Sequence, residues 1–273
     1  MTWSPFLCFG NRRTSSGSYE NPSADLAAAD VGGKGGHPAG AVVVELFSSQ
    51  GCPTSPEAEL LMSRLGRGDF RLETPVVVLA YHVDYWDYTG WKDPFGSSLW
   101  TVRQKAYVEA LKLDTMFTPQ VVVQGRAHCV ATEQDTLLAS IESAPRFPAP
   151  AFQAKFERPA SEILQVTLTG SLRTKVDSNG ADVMVVLYEN GLVTDVTAGK
   201  NKGRVLPNDF VVRNLEKLHV KDLSAKKTIV GTVDFTIGHN FNSSKCGVAV
   251  FVQNGTHQIF GAQHFQLPDT LSL

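Results

Sequence analysis

Residues 41–56 read AVVVELFSSQGCPTSP. Ala41–Phe47 is a short apolar run with three consecutive valines, the pattern of a central strand buried on both faces. Ser48–Gly51 is a small polar turn, and Cys52 follows it directly. Ser55, Pro56 and Glu57 then open a helix over Pro56–Gly66, with Pro56 suited to the first turn and Glu57 and Glu59 to the N-terminal dipole. A cysteine between a buried strand and a helix start sits where partial positive charge and free N–H groups favour thiolate over thiol. Cys52 is therefore the candidate nucleophile. Three residues on, where a dithiol centre has its second cysteine, the chain has Ser55. A C-x-x-S arrangement forms a mixed disulfide but has no neighbouring thiol to release it. Ser55 then reads as a hydrogen-bond donor to the thiolate or as a helix cap.

Outward from this stretch, Pro75–Tyr81 (PVVVLAY) is a second buried strand, which makes a right-handed βαβ unit with parallel strands. His82–Phe95 (HVDYWDYTGWKDPF) is aromatic, acidic and irregular. It follows the C-terminal end of a parallel strand, where open α/β sheets place their sites. His82 and Asp84, two apart in extended chain, project to one side and could tune the Cys52 thiol. Packed aromatics with turn-forming acids are the plainer reading. Ser97–Leu113 and Glu133–Ser143 read as helices. Thr118–Gly125 (TPQVVVQG) is a third strand opened by Pro119, and Ala127–Ala131 returns beside it. The element order β-α-β-α-β-β-α resembles that of a thioredoxin-like α/β domain, and that resemblance implies a cis Thr118–Pro119 bond, with Pro119 against the active cysteine and its backbone pairing with substrate.

Ala144–Pro150 (APRFPAP) reads as a linker. Beyond it seven strand-like runs separated by Asn-Gly and similar turns predict an all-β, sandwich-like unit. The expected domains are a disordered tail over 1–39, a thioredoxin-like domain over 40–145, a Pro-rich linker over 146–150 and a β-sandwich-like domain over 151–268. The glycine-rich stretch Glu189–Arg204 lacks P-loop spacing and receives no chemistry.

Composition narrows the classes. The chain has 273 residues, a formal charge of −2 and four scattered cysteines. That balance gives no reason to expect a nucleic-acid surface, and no apolar run of about 18 residues predicts a transmembrane helix. The cysteines form neither a disulfide framework nor a zinc cluster, so no metal and no bound cofactor is expected. Cys246 and Cys129 read first as buried core residues. Cys129 is also a candidate distant resolving thiol for Cys52. The N-terminus lacks a signal-peptide pattern, so the expected location is cytoplasmic. Arg12 and Arg13 among serines give organelle import as an alternative, and Cys8 beside them gives lipid anchoring.

VELFSSQGC, YHVDYWDYTGWKDPF, TPQVVV and GRVLPNDFVVR occur in order, and together they resemble a family of unknown function found in bacteria and plants. The resemblance implies a thioredoxin-like N-terminal domain and a β-rich C-terminal one. Many members carry C-x-x-C at the positions of Cys52 and Ser55, and here only Cys52 matches. The function expected is monothiol exchange through Cys52, with Ser55 and Pro119 at the site and with protein thiols or glutathione as partners. The competing readings are a silent binding or chaperone-like module, and an unrelated enzyme centred on His82, Asp84 and Asp87.

Overall fold

The computed structural model describes residues 39–174, 180–218 and 228–271. Apart from Ala39, which bridges Pro148, the tail expected over residues 1–39 lies outside the described residues, with Cys8, and so do residues 177–179 of the turn expected at 177–180.

The first half forms as its periodicities require. Strand β1 (Val42–Ser48) is buried at every position, and β2 (Val76–His82) runs parallel to it from Val42↔Val76 to Ser48↔His82. Helix α1 (Ser55–Gly66) connects them. A 3-10 turn (Asp87–Thr89) interrupts the aromatic segment, and α2 (Ser98–Ala110) follows, capped by Ser97, whose hydroxyl accepts from Leu99 N at 3.2 Å. Strand β3 (Gln120–Val123) lies antiparallel to β1, β4 (Ala127–Val130) lies antiparallel to β3, and α3 (Gln134–Glu142) follows.

The second half contributes β5 (Ala151–Ala160), β6 (Ile163–Ser171), β7 (Ala181–Glu189), β8 (Leu192–Asp195), β9 (Val205–Asn208), β10 (Val211–Leu218), β11 (Ile229–Thr236), β12 (Cys246–Asn254) and β13 (Ile259–Gln266). Its layering corrects the sequence-based fold class. Instead of an α/β domain followed by a separate sandwich, one mixed eight-stranded sheet runs β13-β12-β7-β10-β2-β1-β3-β4. The seam is β10 against β2, where Val211 pairs with Ala80 and Ala80 N donates to Phe210 O at 2.8 Å. A three-stranded sheet, β11-β6-β5, and the hairpin β8-β9 complete the strands among the described residues. With three α-helices against thirteen strands, the described chain is predominantly β.

Alternation explains how one sheet serves three cores. Val42, Val44 and Leu46 of β1 pack with Ala58, Met62 and Leu65 of α1 and Leu137 and Ile141 of α3. Val43 and Phe47 face the other way, onto Trp100 and Tyr107 of α2, in a cluster that continues through Val186 and Phe251 of the second half. The opposite side of β7 and β12 packs against Leu164, Val166 and Phe235 of the smaller sheet. Glu45 is fully buried in the middle layer. Arg103 Nη2 pairs with its carboxylate at 2.7 Å, Tyr107 OH donates to it, and Gln253 of β12 bonds Tyr107 OH at 2.9 Å. This network ties β1, α2 and β12 across the seam.

Candidate functional site

The site grows from the turn between β1 and α1. Cys52 N donates to Ser49 O at 3.1 Å, Gly51 N to Ser49 Oγ at 3.1 Å, and Ser49 N to Ser55 Oγ at 3.3 Å. These bonds curl the chain so that Cys52 stands just before the first turn of α1. The Cys52 side of the turn meets the segment before β3. The thiol lies 3.3 Å from Thr54 Oγ1 and donates to Thr118 O at 3.7 Å. The Thr118–Pro119 peptide is cis, and Trp86 Nε1 donates to Thr118 Oγ1 at 2.6 Å. Burial opposes the thiolate, since Cys52 is 1% exposed. Hydrogen bonding from the side-chain hydroxyls of Ser55, Thr118 and Thr54 outweighs that and holds the thiol below its ordinary pKa.

Of the residues singled out in the sequence, Ser55, Thr118 and Pro119 gather at Cys52. Cys129 packs elsewhere, in the apolar core with Val121, Ala131 and Leu137. Burial and then Glu133 push its thiol up to about 11. Cys52, Cys129 and Cys246 are all free, and burial and then Glu189 push Cys246 up to about 12.

His82 sits at the end of β2, opposite Ser48. Its partner is Asp93 rather than Asp84. Nδ1 meets Asp93 Oδ2 at 2.8 Å, while Asp84 accepts from Thr101 Oγ1 at 2.5 Å. On the other side Nε2 stands 3.2 Å from Glu59 Oε1, close enough for an ion pair but outside hydrogen-bond geometry. Burial opposes a charge on His82, yet the carboxylates of Asp93 and Glu59 raise it to about 10. Burial likewise opposes Asp93, but the His82 charge and backbone N–H groups of Gln50 and Phe95 hold its carboxyl below the usual range. Asp87 is half-buried, its carboxyl raised by burial, and Asp87 Oδ1 accepts from Asp93 N at 3.2 Å.

Five residues to which sequence reading assigned no role, Gln50, Thr194, Asn201, Arg204 and Asn208, hold the turn in place. Gln50 N donates to Asp93 Oδ2 at 2.7 Å, and its side chain bonds Asn208 Oδ1 at 2.9 Å and Thr194 Oγ1 at 3.0 Å. Asn201 Nδ2 donates to Gln50 O at 2.8 Å and Cys52 O at 2.9 Å. Arg204 Nη1 in turn donates to Asn201 Oδ1 at 3.0 Å. The glycine-rich stretch without assigned chemistry is thus a clamp on the Cys52 turn. Glu59 lies four residues beyond Ser55 on one helix face, which is the local signal that could have flagged it.

A cavity of about 70 Å³ opens between Ser48, Ser55, Glu59 and His82 on one side and Arg204 to Asn208 on the other. Among the described residues no three His, Cys, Asp or Glu side chains are arranged to hold a metal ion. No helix among them is long and apolar enough to cross a membrane.

Residues 43–253 match the family described as "Protein of unknown function (DUF1223)", and the chain belongs to that family. No curated protein matches it. The chain is similar to a crystal structure of a protein from Agrobacterium tumefaciens at 26% identity, covering 87% of this chain and 99% of that one, with a TM-score of 0.60. It is also similar to HBP35 of Porphyromonas gingivalis at 14% identity, covering 88% of this chain and 78% of that one, with a TM-score of 0.62. At that identity the second likeness concerns the fold alone.

Proposed function

We propose that Cys52 is a single-thiol exchange centre acting on disulfides of proteins or of glutathione. The observation that carries this reading is that hydrogen bonds from Ser55, Thr118 and Thr54 lower the Cys52 thiol despite its burial. A depressed thiol at a helix start is the microenvironment of a reactive cysteine, whereas an inert buried cysteine is raised, as Cys129 and Cys246 are. The chemistry is balanced with one protein sulfur. The Cys52 thiolate attacks R–S–S–R′, forming Cys52–S–S–R and releasing R′S⁻. An external thiolate R″S⁻ then attacks the sulfur of R, forming R–S–S–R″ and freeing Cys52. Ser55 serves as a hydrogen-bond donor to the thiolate, and the Thr118–Pro119 segment is the wall against which the substrate lies.

The burial of Cys52 favours a second reading, a module that binds without turnover. Incubation with glutathione disulfide separates the two. Exchange predicts a mass increase of one glutathionyl group on the peptide carrying Cys52, reversed by free glutathione and absent in Cys52→Ser. An unmodified Cys52 under conditions that modify free cysteine would favour the binding module.

A further inference from the structure

The stretches YHVDYWDYTGWKDPF and GRVLPNDFVVR end on Phe95 and Arg213, and the fold brings those two ends together. The Arg213 guanidinium carbon stands 5.4 Å from the centre of the Phe95 ring. Arg213 is the extra residue of a β-bulge, where the pairing of β10 with β7 jumps from Val212↔Tyr188 to Asn214↔Leu187. A bulge re-aims a side chain out of the alternation of its strand. Arg213 Nε approaches Glu189 Oε2 at 3.7 Å, beyond hydrogen-bond reach, and the two side chains are 39% and 20% exposed. An ion pair of that kind is weak and opens at little cost.

Both side chains line a cavity of about 510 Å³ between the segment leading into α2, the starts of β10 and β12, and the end of β11. Sites for small organic molecules occupy roughly 300–1,000 Å³. The apolar part of the wall includes Phe95, Trp100, Leu187, Leu215 and Phe241. Three classes of ligand fit poorly. A simple anion meets Glu189 beside Arg213, and Glu216 on the same wall. A simple cation meets Arg213 over the Phe95 ring. A neutral apolar molecule strips water from both charges and leaves them one long contact with each other. A molecule with an ammonium and a carboxylate on one carbon answers both charges. We propose that this cavity binds a free α-amino acid with a large apolar side chain. Its carboxylate accepts from the N–H groups of Arg213, its ammonium donates to Glu189, and its side chain lies against Trp100 and Phe241. No bond is made or broken, and the site owes nothing to the chemistry of Cys52.

The test is isothermal titration calorimetry of the full chain with L-phenylalanine, where one saturable site per chain is expected. N-acetyl-L-phenylalanine lacks the ammonium, phenethylamine lacks the carboxylate and glycine lacks the apolar body. Each should bind about tenfold more weakly or worse. Arg213→Met and Glu189→Gln should each weaken L-phenylalanine by a similar factor, with near-ultraviolet circular dichroism confirming the fold. The analogue comparison uses wild type alone, so it decides the matter even where a variant fails to fold. No saturable binding of L-phenylalanine or L-leucine up to about 10 mM, by calorimetry and by thermal shift, would overturn the proposal. Equal binding of N-acetyl-L-phenylalanine would reveal a simple anion site, and equal binding of phenethylamine a simple cation site. Either result overturns it. Unchanged affinity in both folded variants would put the ligand elsewhere and overturn it too.

Discussion

Raising the pH strains the buried Glu59–His82–Asp93 row in a way that can be calculated. His82 is fully buried, and its pKa is raised from 6.5 to about 10 by the two carboxylates. The folded value lies above the unfolded one, so folding takes up a proton wherever unfolded histidine is neutral. The stabilisation is fully present below about 6.5 and is lost as pH rises through about 10. Each pH unit inside that window costs about 1.4 kcal/mol, so the loss approaches 5 kcal/mol across the whole of it. His82→Gln removes the titration and leaves both carboxylates without their cation. Urea unfolding of wild type and His82→Gln from about pH 6 to pH 10 lets other titrations cancel in the difference. That difference should be largest at the acidic end and shrink by about 3–5 kcal/mol toward the alkaline end. A difference constant to within about 1 kcal/mol would show that His82 is neutral in the fold and refute the reasoning.

Arg103→Met leaves the buried Glu45 carboxylate without its cation and should cost about 3–5 kcal/mol, read by chemical denaturation. The corresponding drop in Tm is about 6–20 °C, and Glu45→Gln in the same chain should recover much of it. Asn201→Ala removes the donor shared by Gln50 O and Cys52 O, so stability should fall by about 1–3 kcal/mol and Cys52 should alkylate faster as the turn loosens. Unchanged alkylation would mean that the clamp does not control the turn. Ser55→Ala removes a donor to the thiolate and should raise the Cys52 pKa by about one unit, measured from the pH dependence of its alkylation.

Strands and helices were legible wherever one face or both faces had to be apolar. The run AVVVELF became β1 and its valines divided between two cores. The seven strand-like runs of the second half all formed strands. Their neighbours were not legible, because alternation states which face is buried and not which strand lies alongside. The seam rests on Val211 meeting Ala80 from far along the chain, and its entry residue Phe210 has a φ of 58°, which no local pattern announces. The hairpin β8-β9 went unread because its strands, one within the glycine-rich stretch and one just after it, are four residues long.

The candidate site was half legible for the same reason. Cys52 and Ser55 are local features of a strand–turn–helix, and Pro119 followed from the opening of β3. The pairing of His82 with Asp84 assumed that the extended chain continues past His82. Strand β2 ends there, the chain turns, and Asp93 swings back to Nδ1. The contacts of Gln50 with Asn208 and Asn201 join residues about 150 positions apart, and nothing in either segment marks them in advance.

Single-thiol exchange requires Cys52 to be a thiol of unusual character among the three that the structure describes. The direct measurement is its alkylation rate against pH in a chain carrying Cys8→Ser, Cys129→Ala and Cys246→Ala. A thiol held down by its hydrogen bonds gives an inflection below that of free cysteine and a faster reaction at neutral pH, and Ser55→Ala raises the inflection and slows the neutral-pH reaction. An inflection at or above the free-cysteine value, with a rate no faster than free cysteine, would contradict it.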